Sequence, residues 1–295
     1  MRNTQRLELP RHLPQPVPPV HAKPEYLAEG ALRTDYEDVK AVLQVPWMGV
    51  IAMAHAHFRT FFRYFWDGYR PLAQSQPFVD ACFALRAHVE EAVDVLMATP
   101  LRDTLAEQGY APREIAGITD MIEVFSHGNF PYLLMSTASR LLIEGQELSE
   151  ARLAPPCTHP HAPDADVPFV LIERHHADAP TQAIYDDIMA TLGLPFVNTD
   201  YRALARWPSY FAGAWSGLKP KVGTATYEAL VTEIHDVVVE TVLSLPNPGA
   251  LESKGLIDAA RSDAPLEAVR DMTRLFQWLL PGLVVNVAFF KAQLR

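Results

Sequence analysis

One segment of this chain occurs twice, and that repetition limits the possible folds more than any other feature. YEDVKAVLQVPW, starting at Tyr36, returns as YDDIMATLGLPF, starting at Tyr185. The register continues without a gap. Pro46 meets Pro195, Trp47 meets Phe196, Phe58 meets Trp207 and Phe62 meets Phe211. Trp66 then meets Trp215, Arg70 meets Lys219 and Pro71 meets Pro220. Further on, DMIEVFSHGNFPYLL from Asp120 pairs with DMTRLFQWLLPGLVV from Asp271, in a slightly longer register. Agreement among rare residue types over such a length marks a duplicated unit.

Each copy reads as helices. Between Thr224 and Leu245, Tyr227, Leu230, Val231, Ile234, Val238, Val242 and Leu245 recur at the spacing of one helix face. The counterpart from Phe78 to Met97 does the same with Cys82, Leu85, Val89, Val93 and Met97. Pro71 and Pro220 are expected to end helices or force turns, and Pro208 suits the first turn of a helix. No segment sustains strand-like alternation, although PFVLIE from Pro168 could form a short extended piece. The expected fold is all-α, with two pseudo-symmetric helical repeats. Residues 1–33 form a proline-rich N-terminal segment, 34–144 the first repeat, 145–180 a long linker rich in Pro, Ala and acids, and 181–295 the second repeat. Two such repeats would pack apolar faces together and leave a cleft near the pseudo-twofold axis, where small ligands commonly bind.

A chain of 295 residues can bury a real core as one domain or two. Its net charge of -10 argues against a nucleic-acid partner, since phosphate binding needs Lys and Arg. An anionic small-molecule substrate would need local positive potential from helix N-termini or a few arginines. Neither of the two cysteines, Cys82 and Cys157, sits in a metal-like spacing, which fits a reducing cytoplasm without a disulfide framework. The N-terminal stretch lacks the apolar core of a signal peptide. The greasiest run, Leu275 to Phe290, is interrupted at Pro281-Gly282 and is expected to form a buried helix pair rather than a membrane span. The protein is therefore expected to be soluble and cytoplasmic.

The duplication supplies a test for functional residues, because fold requirements should recur in both copies while site residues need not. Asp200 faces Ile51, Thr199 faces Val50 and Asn198 faces Gly49. From the other half, Asn129 faces Leu280 and Tyr132 faces Leu283. Each has a plainer reading. Asp200 and Thr199 could cap a helix beginning at Tyr201, and Asn129 could be a turn residue before Pro131. A carboxylate beside a helix N-terminus could equally serve as a general base, with an amide holding its water. Trp47 and Trp278 read as core aromatics or as the wall of an apolar pocket. His159, His161, His175 and His176 have irregular spacing without partnered carboxylates, and His55 and His57 cannot share a helix face, so no metal site is expected. Nucleotide-loop and zinc-hydrolase motifs are lacking, and no cofactor is expected.

TDYEDVKAVLQVPW, HGNFPYLL and NTDYRALARWP, in this order, resemble the group I 2-haloacid dehalogenases, which act on both D and L enantiomers. The similarity runs from about Tyr36 to near the C-terminus. It implies two helical pseudo-repeats, a linker that gives the chain a knotted path, and a homodimer. The implied reaction is hydrolysis of the C2–halogen bond of short 2-haloalkanoic acids by an activated water, with inversion and without an ester intermediate. Carried over by position, Asp200 is the water-activating aspartate and Asn129 its assistant. Trp47, Tyr132, Asn198 and Thr199 fall on pocket positions. The lining departs from the family at Val50, where an aromatic is expected, at Trp278 in place of a tyrosine, and at Gly282 beside an inserted Pro281. Two rivals stand beside this reading: Asp200 as a nucleophile forming an ester, and a non-catalytic helical protein binding a small hydrophobic carboxylic acid in the same pocket.

Overall fold

A computed structural model describes residues 9–295, so the part of the expected N-terminal segment formed by residues 1–8 lies outside the described residues. The first six helices are α1 (Gly30–Leu43), α2 (Val50–His57), α3 (Arg59–Ala73), α4 (Gln76–Ala92), α5 (Arg102–Glu107) and α6 (Pro112–Ile143). The remaining six are α7 (Ala179–Leu192), α8 (Thr199–Leu204), α9 (Pro208–Leu218), α10 (Ala225–Ser244), α11 (Ser253–Asp263) and α12 (Leu266–Ala292). Among the described residues no strand forms, and PFVLIE is neither helix nor strand. The all-helical expectation holds.

The helices sort into two compact units, each drawn from three separated segments. Unit 1 takes the chain through Phe83, Pro131–His161 and His235–Pro281, while unit 2 takes Ala84–Phe130, Ala162–Ile234 and Gly282–Arg295. These units cut across the linear halves 34–144 and 181–295.

In unit 1, α3 buries Phe61, Phe62, Phe65, Trp66 and Tyr69 on one face, at the spacing that brings a helical row onto its neighbour. Its basic residues serve α1: Arg59 donates to buried Asp35 at 2.7 Å, and Arg63 pairs with the same carboxylate. Asp38 accepts from Trp66 Nε1 at 2.8 Å and from Arg70 Nε at 2.9 Å. Unit 2 contains the same arrangement, in which Asp187 accepts from Trp215 Nε1 at 2.7 Å and from Lys219 Nζ at 2.7 Å. The Tyr36 hydroxyl donates to the Lys23 carbonyl at 3.0 Å in unit 1, and Tyr185 donates to the Ile172 carbonyl at 2.7 Å in unit 2.

The prolines divide into two groups. Pro208 opens α9, as its fixed φ and missing N–H favour, and Pro220 lies beyond the end of that helix. Pro71, expected to end a helix, instead lies inside α3, two residues before its last residue. Pro281 does not split the apolar run into a helix pair, because α12 is continuous through it. Pro131 likewise lies inside α6, so Asn129 is a mid-helix residue and not a turn residue. Magnitudes explain the overrides. An interior proline costs roughly 3 kcal/mol, whereas burying each large apolar side chain returns about 1.5–3 kcal/mol. Phe130, Tyr132, Leu133 and Leu134 are all buried around Pro131, and Leu279, Leu280, Leu283 and Val284 around Pro281. α12 is also long and apolar enough to cross a membrane, yet 83% of its most apolar window is buried within the protein.

Candidate active site

Asp200 owes its position to a short helix that begins earlier than the sequence suggests. α8 starts at Thr199 with Asn198 as its N-cap, so Asp200 is the second helical residue and caps no helix beginning at Tyr201. Freed from capping, its carboxylate is available to another partner. Asn129, buried midway along α6, donates from Nδ2 to Asp200 Oδ1 at 2.7 Å. Both residues belong to unit 2. Burial pushes the Asp200 carboxyl up to about 6, opposed by the Asn129 hydrogen bond, by its own backbone N–H and by the Arg202 charge. Taken out of water and held by the Asn129 amide and its own backbone N–H, a carboxylate with this affinity for protons is suited to accept a proton near neutral pH.

Asn198 and Thr199 are buried on the same turn, with Asn198 Oδ1 lacking a hydrogen-bond partner among the described residues and Thr199 Oγ1 accepting from Arg202 Nη2 at 3.2 Å. The next residue, Tyr201, is fully buried. Its hydroxyl accepts from Asn286 Nδ2 at 2.9 Å, and Asn286 Oδ1 accepts from the Tyr227 hydroxyl at 2.9 Å. This chain ties α8 to α12 and α10 within unit 2 and removes the freedom of the turn that carries Asp200. Gly282, on α12, is also buried in unit 2.

The remaining expected pocket residues lie in unit 1. Tyr132 donates its hydroxyl to the Trp47 carbonyl at 2.7 Å, and the two rings sit 5.9 Å apart, tilted by 52°. Val50 is the half-buried first residue of α2. Half-buried Trp278 has the Arg11 guanidinium 5.3 Å above its ring, and Arg11 Nε donates to its carbonyl at 3.0 Å. Sequence reasoning missed Arg11, because the proline-rich segment shows no pattern that points to Trp278. It also missed Arg202, although Met53 stands at the matching position of the first copy and the comparison used for Asp200 would have exposed it.

Tyr132 also explains why Gly49 stands where the second copy has Asn198. A Cβ built on Gly49 would lie 2.9 Å from three atoms of the Tyr132 ring, whose hydroxyl bond to Trp47 restrains it. Gly49→Ala should therefore destabilise the protein by about 1–3 kcal/mol, the usual cost of overpacking. Thermal unfolding checks this, and an unchanged melting temperature would mean that the ring moves aside freely.

The histidines take separate roles. His55 is fully buried, edge-on to Phe61 and Phe65 with Ser139 Oγ 3.4 Å from Nε2, and burial pushes it down to about 3, so it is a neutral core group. His57, on the other side of α2, stacks on His21 at 4.6 Å. Among the described residues, no three His, Cys, Asp or Glu side chains group as a metal-ion site.

No family model matches the chain. A curated relative from Rhizobium sp. (strain NHG3), named (R)-2-haloacid dehalogenase, is 46% identical over 248 residues, covering 83% of this chain and 96% of the relative. A solved D-2-haloacid dehalogenase in complex with L-LA superposes with a TM-score of 0.86 at 35% identity, covering 97% of this chain and 99% of that one. A mutant of a D-2-haloacid dehalogenase in complex with D-2-CPA gives a TM-score of 0.85 at 34% identity, covering 96% and 99%.

Proposed function

The chain belongs to the 2-haloacid dehalogenases, hydrolases acting on carbon–halide bonds, and from that premise we propose that Asp200 and Asn129 activate the water that displaces halide from C2. The observation that carries the proposal is the buried hydrogen bond between these two side chains, at positions where the other copy holds Ile51 and Leu280. Nothing in the helical plan calls for polar groups there, and desolvating them costs on the order of 1–3 kcal/mol.

With Oδ1 held by Asn129, Oδ2 accepts a proton from the bound water while the water oxygen attacks C2 in line. The new C–O bond forms as the carbon–halogen bond breaks, halide leaves with the electron pair, and the proton passes from Asp200 to solvent. In-line displacement inverts the carbon, so a D-2-haloacid yields an L-2-hydroxyacid. By the resemblance, Asn198, Thr199 and Gly282 are substrate positions of unit 2 in this reading, and Trp47, Val50, Tyr132 and Trp278 are pocket positions of unit 1. The D or (R) specificity in the names of the relatives favours the D acid, and acceptance of both enantiomers is the broader expectation.

Incubation with D- and L-2-chloropropanoate, following chloride and the configuration of the product, tests the proposal. Chloride from the D acid with L-lactate as product is the expected result, and comparable release from the L acid establishes the broader specificity. Retained configuration would overturn direct attack in favour of an ester on Asp200. No chloride from either acid would remove these substrates and return the non-catalytic binding reading.

The proposal includes a duplicated chain. It is supported by the paired Asp38 and Asp187 networks and by helix starts at Gly30, Val50 and Arg59 that keep the repeat register with Ala179, Thr199 and Pro208. The knotted path, the homodimer and the cytoplasmic location belong to the same reading, on the resemblance and on the cysteine usage.

A further inference from the structure

The connection before α7 docks onto α8, the helix of Asp200, through one arginine. The Ile172 N–H donates to the Arg202 carbonyl at 3.0 Å, and Arg202 Nη1 donates to Glu173 Oε1 at 2.7 Å. Its Nη2 reaches Thr199 Oγ1, the residue preceding Asp200. The guanidinium thus spans the first turn of α8 and a segment remote in sequence. The side chain of Arg202 is only 18% exposed and that of Glu173 35%, so water screens this pair less than a surface ion pair.

The repeat separates what is structural here from what is not. The backbone anchor of the connection, Tyr185 to Ile172, has its counterpart in Tyr36 to Lys23. The ion pair has none, because in the same register Arg202 matches Met53 and Glu173 matches Pro24. The first copy docks its connection through a different pair, Glu25 with Lys40 of α1 at 2.5 Å and with the Met48 N–H at 2.7 Å. There the cation is not on the helix that matches α8, whereas Arg202 belongs to the helix that carries the buried carboxylate.

We propose that Arg202, clasped by Glu173 and Thr199, is a positioning residue that fixes α8 and sets how readily Asp200 ionises. The inference rests on Asp200 being the base. Asn129 of α6 faces the carboxylate, and the Tyr201 phenol lies within electrostatic reach, tied to Asn286 of α12 and Tyr227 of α10. Among the described residues, Arg202 is a cation acting on the carboxylate, and its own charge is paired with Glu173.

The pH dependence of kcat/KM for halide release reads the free enzyme's base, and two variants should move its acid limb in opposite directions. Arg202→Met removes the favourable cation and should shift the limb up. Glu173→Gln removes the anion that offsets Arg202 and should shift it down. Arg202→Lys keeps the charge but loses the planar fork, so the limb should stay near its original place while kcat falls. A role confined to packing would not produce shifts of opposite sign. Limbs that stay put, or move the same way, overturn the inference. Should Arg202→Met fail to fold, Glu173→Gln decides alone: a downward shift supports the clasp and an unmoved limb overturns it. Asp200→Asn keeps the two readings apart. If that variant is inactive while the limbs stay put, only the clasp falls, and if it remains active the base assignment falls first.

Discussion

Asp200→Asn should end halide release and, above about pH 6, make the protein more stable. Asparagine has nearly the shape of aspartate and still offers Asn129 an acceptor, but it has no lone-pair site basic enough to take the water's proton. The stability gain follows from the elevated affinity of Asp200 for its proton, about 6 against an ordinary 3.8. Between those two values the folded protein holds the proton and the unfolded chain has released it, so stability falls as pH rises through that window. Above the window the whole cost, about 3 kcal/mol, is carried. The neutral amide escapes it. The melting advantage of Asp200→Asn should accordingly be small at pH 4 and reach several degrees at pH 8. Halide release by the unaltered protein should run the other way, rising through about pH 6 as the carboxylate ionises and then levelling. Melting curves and chloride release at both pH values check this. Substantial activity in the variant, or a melting difference independent of pH, would remove Asp200 from the mechanism.

The same opposition between stability and chemistry explains what could be read from the sequence. Helix positions were legible because core faces repeat at a helical period, and because similar sequence stretches, such as those from Tyr36 and Tyr185, present several of these faces twice. The prolines misled because their effect is local and the override is not: no rule of spacing reveals that Pro131 and Pro281 are surrounded by buried apolar side chains that hold their helices together. Asp200 was legible through its mismatch with Ile51, yet its alternative reading as a cap set the helix start two residues late, at Tyr201 instead of Thr199, a shift that puts Asp200 inside the first turn and not at the N-cap. The Asn129–Asp200 bond spans two helices far apart in sequence, so the comparison of copies singled out both residues without showing that they touch. Arg202 and Glu173 are equally mismatched with Met53 and Pro24 but were passed over, because a charged residue on a helix, as Arg202 is, or in a connection, as Glu173 is, ordinarily reads as solvated.

Asn129→Leu should lower halide release by about a hundredfold or more at neutral pH while leaving the protein folded, the range expected when one partner in proton transfer is lost. Leucine already stands at the matching position of the second copy, as buried Leu280, so an apolar side chain at this depth in a long helix is compatible with the plan. Leucine is also the better helix former by a few tenths of a kcal/mol. What the substitution removes is the amide donated to Asp200 Oδ1. That bond favours the ionised carboxylate, so its loss pushes the Asp200 carboxyl above about 6 and leaves less of the base available at neutral pH. The sign of the stability change should then depend on pH. At pH 5 Asp200 is mostly protonated in the folded state, the lost hydrogen bond matters little, and the melting temperature should hold or rise. At pH 8 the buried carboxylate must ionise without its partner, a penalty of about 1–3 kcal/mol, and the melting temperature should fall. Activity should recover in part as pH is raised, because more Asp200 ionises, but it should not return to the original level, since the amide that we propose holds the water is gone. Chloride release and melting temperature measured at pH 5 and pH 8 separate this from a purely structural Asn129. A variant that keeps full activity at both values, whatever its stability, would sink the pairing of Asn129 with Asp200 as the chemical unit.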